Sequence, residues 1–120
     1  MNKIEKYKTE TGECPLNDFL LELKNDGQLD DLDKIQEYVM ILEDIGNKIL
    51  SNSNLAKRLD KNLFELRPKA NRVLYCFQSK DDKFILLHAF KKKTDKTPPS
   101  EIKKAKKEIR DYERRNGYGK

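Results

Sequence analysis

Arg67 and Arg72 stand on either side of Pro68-Lys69-Ala70-Asn71, and Lys91-Lys92-Lys93 follows Phe90. Paired guanidiniums can hold a phosphodiester through parallel hydrogen bonds and stabilise the charge that grows on its oxygens during displacement at phosphorus. The same arginines would serve equally as salt-bridge partners for a carboxylate such as Glu65, and three consecutive lysines are commonly a solvated charge run. His88, the one histidine, lies in an otherwise apolar stretch. There it is either a hydrogen-bonded structural residue or a general acid or base, since unperturbed imidazole titrates near neutrality. No zinc-ligand cluster, phosphate-binding glycine loop, serine-type triad or EF-hand pattern accompanies these residues. The expectation is chemistry without a metal or cofactor.

A sheet must bring these cations together. Phe64-Glu65-Leu66-Arg67, Arg72 to Phe77 and Phe84 to Phe90 are too short for independent helices and are bounded by breakers. Pro68 to Asn71 carries turn residues, and Ser79-Lys80-Asp81-Asp82 suits a hairpin loop. The economical arrangement is a three-stranded antiparallel meander, in which the end of one strand lies beside the start of the next. Arg67 and Arg72 then meet at the turn, and the lysine cluster arrives at the same end of the sheet. Arg72, opening a strand beside a turn, is expected to reach solvent. If Leu86, His88 and Phe90 share a face, Lys92 continues it and Lys91 turns to the other.

The rest of the chain supplies the layers. Lys3 to Lys8 reads as a first strand, although Ile4 and Tyr7 cannot share a strand face. After the Thr11-Gly12-Glu13-Cys14 turn, Pro15 suits a first helical position, with Leu16, Phe19, Leu20 and Leu23 at helical spacing and Gly27 as a stop. Asp30 and Asp31 open a second helix bearing Leu32, Ile35, Val39, Leu42 and Ile45. Leu55 to Leu59 reads as a helical turn or extended chain. Thr97 is expected to cap a last helix, with Pro98 in its first turn and a stripe of Ile102, Ala105, Ile109 and Tyr112. Asn116 to Lys120 is expected to fray. A small sheet under a helical hairpin is a two-layer α+β domain.

With 120 residues the chain is one domain, and 36% hydrophobic against 39% charged residues limits it to a small core and an ionic surface. The net charge of +5 is consistent with an anionic partner or with a lysine-rich solvated surface. Cys14 and Cys76 lack metal-ligand spacing, and Cys76 is expected as a buried free thiol. There is no signal peptide and no membrane-length apolar run, so a reduced, cytoplasmic location is expected.

The run FELRPKANRVLY, followed by ILLHAFKKKTDKTPPSEIKKAK, resembles the RelE/HigB superfamily of bacterial toxins. It is most similar to the phage-derived HigB-like branch, with its pattern L-x-E-L-R, R-V-x-Y, L-L-H-x-F-x-K-K-T, T-P, E-I, A. Similarity reaches upstream to YKTETGECPLNDFL and covers nearly the whole chain. The resemblance implies one RelE/ParE-like domain over residues 1–120: an antiparallel sheet, an N-terminal helical hairpin and a C-terminal helix near the open face of the sheet. It further implies a toxin of a type II toxin–antitoxin system that cleaves mRNA, free or on the ribosome, by attack of the 2′-hydroxyl. Its expected partners are mRNA and a cognate antitoxin, a small helix-turn-helix protein, with no membrane involved. Arg67, Arg72, Lys91, Lys92 and His88 are the implied catalytic residues, and Lys57, Arg58, Lys69 and Lys93 the RNA-binding ones. Lys91, His88 and Glu65 are the candidates for proton transfer. Glu65 stands where RelE-like enzymes often carry a lysine; it suits either a carboxylate base or a structural salt bridge, and Lys57 or Arg58 can replace the missing charge. Two other readings share this sequence: a ParE-like gyrase inhibitor without enzymatic activity, and a basic nucleic-acid-binding module.

Overall fold

Strand alternation at residues 63–66 sends Phe64 and Leu66 into one hydrophobic cluster and Leu63 into another, so the sheet has two covered faces. In the computed structural model, which describes residues 1–117, the elements run β1 (Lys3–Lys6), α1 (Pro15–Asn25), α2 (Leu29–Ile45), a 3-10 turn (Gly46–Ser51), β2 (Ala56–Asp60), β3 (Leu63–Leu66), β4 (Asn71–Gln78), β5 (Lys83–Lys91) and α3 (Pro99–Arg115). The sheet order is β1-β5-β4-β3-β2. The expected meander is its centre, and residues 56–60 resolve as an added strand rather than a helical turn. Pairing is antiparallel except at one edge, where β1 runs parallel to β5. The last three residues of the expected tail lie outside the described residues.

One face carries the hairpin. Leu16 and Leu23 of α1 and Ile35 and Leu42 of α2 are fully buried against Leu66, Val73, Tyr75 and Leu86. Each such side chain contributes about 1.5–3 kcal/mol on leaving water. Ile45, the last member of the expected α2 stripe, is instead 40% exposed, because α2 ends there at Gly46. Gly46 has φ +60°, and a Cβ would meet the Asn2 side-chain amide at 3.0 Å, so glycine is required at this corner. The other face carries α3, whose Ala105 and Tyr112 are buried with Ile102 and Ile109 packed beside them over Leu74, Cys76, Ile85 and Leu87. The last helix therefore covers the face it was expected to lie near. Ile4 and Tyr7 fall in opposite clusters, as their spacing requires. Cys14 and Cys76 are buried free thiols, and burial pushes the Cys76 thiol up to about 12.

A bulge in β5 decides which side chains reach which face. Leu74 pairs with His88 but Tyr75 pairs with Leu86, leaving Leu87 as the extra residue. Leu86 faces the hairpin, whereas His88 and Phe90 face α3. The condition that Leu86, His88 and Phe90 share a face thus fails at the bulge, where Leu86 departs from the other two. Among the described residues no helix is long and apolar enough to cross a membrane.

Candidate functional site

Glu65 follows the same alternation as Leu63 and emerges on the α3 face, beyond the end of the apolar packing. It is 2% exposed, and a buried carboxylate needs partners. It has three. Arg67, two residues along the strand direction, places Nε 3.5 Å from Glu65 Oε2, and Arg72, from the start of β4, places Nε 3.9 Å from the same oxygen. Thr97 donates its hydroxyl to Oε1 at 2.5 Å. The two arginines meet across the β3–β4 turn as the sequence requires, and both face one anion.

Their surroundings differ. Arg67 is about a quarter exposed; it donates through Nη1 to the Ser53 carbonyl at 3.0 Å, while its buried Nε makes no hydrogen bond. Arg72 is 5% exposed, which corrects the expectation that its head group reaches solvent. The turn folds back over it, and its Nη1 donates to the carbonyls of Asn71 at 2.7 Å and Lys69 at 3.1 Å. Burial, and then the neighbouring Arg67 charge, pull the Arg72 pKa below the ordinary arginine range.

Glu65 opens on a cleft of about 660 Å³ between β2 and the loop leading into α3. Lys57 and Arg58 line one wall, with Lys93, Asp95, Lys96 and Thr97 on the other. Lys57 sits directly opposite Glu65 in the β2–β3 register. Arg58 points along its own strand, bonding the carbonyls of Asp60 and Lys61. Lys92 turns to Asp95 at 3.5 Å. Thr97 does not cap the last helix: the cap is Pro98, without a side-chain bond, and the threonine hydroxyl goes to Glu65 instead. The Thr94 hydroxyl closes the same loop on the Lys96 carbonyl at 2.8 Å.

Lys69 and Lys91 lie elsewhere. Both bind Asp31 of α2, at 3.2 and 2.9 Å, on the hairpin side of the sheet. Asn71 adds a third bond to the same carboxylate at 3.2 Å. Hydrogen bonds from Lys91, Asn71 and Lys69 hold the Asp31 carboxyl down at about 2. Lys91 and Lys92 thus point apart, as their strand positions demand. His88 is buried under α3, with Nδ1 2.6 Å from Glu108 and Nε2 2.9 Å from Glu101. Both ring nitrogens are engaged, and neither faces the cleft.

Reading the sequence alone overlooks Thr97 as a site residue, because Thr-Pro-Pro before a helix is itself a capping signal. It also overlooks Asp31, Glu101 and Glu108, whose partners are fixed only by packing. Among the described residues no three His, Cys, Asp or Glu side chains are grouped as a metal site.

A family model described as phage-derived protein Gp49-like (DUF891) matches residues 18–110, more than three quarters of the 120-residue chain. The matched span holds both arginines, Glu65, Thr97 and the whole cleft. No curated protein matches the chain.

Proposed function

Because the chain belongs to the phage-derived Gp49-like family, a RelE-like toxin family of toxin–antitoxin systems, we propose that it is a HigB-type endoribonuclease acting on mRNA. One observation carries the reading: two guanidiniums from either side of the β3–β4 turn lie within 4 Å of one oxygen of Glu65, and Glu65 lines an open cationic cleft. A phosphodiester offers oxygens of the same kind to the same donors. In the reaction the RNA 2′-hydroxyl attacks the adjacent phosphorus, the bond to the 5′-oxygen breaks, and a 2′,3′-cyclic phosphate and a 5′-hydroxyl result. Arg67 and Arg72 stabilise the equatorial oxygens of the phosphorane, and Lys57, Lys92 and Lys93 hold the flanking backbone. The nucleophile belongs to the substrate, so neither step needs a metal-activated water, and DNA, lacking the hydroxyl, is not cut.

A cationic cleft is also complementary to an acidic partner. The proposed antitoxin is a small helix-turn-helix protein whose acidic segment enters the cleft or holds the loop before α3. The test is tightly controlled expression with mapping of mRNA 5′ ends, beside purified protein incubated with RNA and its 2′-deoxy counterpart. Growth arrest with discrete 5′-hydroxyl ends supports the nuclease. Arrest without RNA cleavage, accompanied by inhibited supercoiling, would replace it with the gyrase-inhibitor reading.

A further inference from the structure

The geometry points to Glu65 as the general base of this reaction, with the Thr97 hydroxyl holding the place of the substrate's 2′-hydroxyl. The inference rests on the nuclease reading above. Three candidates for proton transfer are present in the sequence, and only one faces the cleft. Lys91 bonds to Asp31 and Asn71 on the far side of the sheet, and both His88 nitrogens are taken by carboxylates under α3. Glu65 lines the cleft beside the two arginines.

The two carboxylate oxygens have different partners. Oε2 faces the guanidiniums, while Oε1 accepts an alcohol hydrogen bond from Thr97 at 2.5 Å. A base about to take a proton from a ribose hydroxyl makes that bond, at that kind of distance. Thr97 belongs to the loop and not to the sheet, and among the described residues its hydroxyl is the hydrogen-bond donor to Oε1. A ribose entering the cleft displaces it without disturbing β3 or β4. The 2′-hydroxyl proton then passes to Glu65 as the oxygen bonds to phosphorus. The 5′-oxygen departs with the bonding pair and takes a proton from solvent at the cleft mouth. Arg67 Nε, without a hydrogen bond and 3.5 Å from Glu65 Oε2, is a donor held beside the base.

Three variants test the assignment, using single-turnover cleavage of a short RNA and binding of the same RNA with a 2′-deoxy nucleotide at the scissile position. Glu65→Gln keeps the shape and the Thr97 contact but cannot take a proton. It should slow cleavage by about 10²–10⁴-fold and leave 2′-deoxy RNA binding within about threefold. Glu65→Asp, which keeps a carboxylate, should cleave more slowly than wild type but faster than Glu65→Gln, which guards against a Gln variant that folds poorly. Thr97→Val should raise the rate by about two- to fivefold, because the competing hydroxyl is gone. Glu65→Gln cleaving at the wild-type rate, or losing RNA binding in proportion to cleavage, would overturn the base. A Thr97→Val rate that is unchanged or lower would overturn the stand-in. Wild-type protein that cuts no RNA would instead remove the nuclease reading, and the base with it.

Discussion

His88 Nδ1 and Glu108 Oε1 lie 2.6 Å apart, both residues are buried, and the bond fastens α3 to the middle of the sheet. Glu101, two helical turns earlier on the same face of α3, holds the other ring nitrogen at 2.9 Å. The bulge at Leu87 makes this contact possible by turning His88 toward α3. Removing one member of a buried pair leaves its partner uncompensated, at a cost of about 3–5 kcal/mol. His88→Ala should therefore lower the melting temperature sharply. Below that temperature its cleavage rate should stay within about threefold of wild type, because the imidazole does not reach the cleft. A hundredfold rate loss in a well-folded His88→Ala protein would return the histidine to the reaction.

Asp31 ties the β3–β4 turn to α2 through Lys69, Asn71 and Lys91. Its carboxyl is held at about 2, below its ordinary 3.8, with the Lys91 hydrogen bond the largest cause. A carboxyl depressed in the fold contributes stability that is complete above the unfolded value and fades as pH drops through the folded one. Both lysines are nearly half exposed, so solvent screens the pair and the contribution is about 1 kcal/mol. Asp31→Asn should be less stable than wild type by that amount at pH 7, and the difference should vanish between about pH 4 and pH 2. Denaturant melts of both proteins across that range check the sign.

Most of the scaffold was legible because its apolar residues keep regular periods. The α1 stripe, the Gly27 stop, the meander and the α3 stripe follow from spacing alone. Residues 56–60 were ambiguous because Lys57 and Arg58 interrupt any alternation, and only pairing with β3 makes them a strand. The meeting of Arg67 and Arg72 could be foreseen, since a turn forces it. The depth of Arg72 could not, because it depends on the turn carbonyls folding over the guanidinium. The condition that Leu86 share a face with His88 and Phe90 fails for a different reason. A bulge shifts strand phase by one residue, and no feature of Leu86-Leu87-His88 announces it. Thr97 carried a genuine capping signal that a tertiary partner, Glu65, outcompetes.

Metal dependence gives a direct check on the chemistry. The proposed nucleophile is the 2′-hydroxyl, and charge on the phosphorane is met by guanidiniums. Cleavage of purified RNA should therefore proceed at an unchanged rate in excess chelator. Activity abolished by chelator and restored by a divalent ion would contradict the mechanism. The substrate must be free RNA in this assay, since chelation dismantles ribosomes.

The two arginines should respond differently to removal, and the difference separates their roles. Arg72 bonds two turn carbonyls, is 5% exposed and neighbours the buried Glu65. Arg72→Ala thus strands two turn carbonyls and removes one of two cations beside Glu65, costing about 2–4 kcal/mol of stability, and its loss of activity would be mixed with loss of fold. Arg67 is the cleaner probe. It is about a quarter exposed, holds one carbonyl, that of Ser53 in an exposed loop, and shares Glu65 with Arg72, so Arg67→Ala should cost roughly 1–2 kcal/mol. If its guanidinium meets the phosphorane, the same substitution should slow cleavage by about a hundredfold, equivalent to about 3 kcal/mol of transition-state stabilisation. Single-turnover cleavage and thermal melts of wild type, Arg67→Ala and Arg72→Ala give the comparison. The expected pattern is a large rate loss with a small melting shift for Arg67, and large losses in both for Arg72. An Arg67→Ala protein that cleaves at the wild-type rate would reduce Arg67 to a salt-bridge partner of Glu65, leaving the phosphate to Arg72 and the cleft lysines.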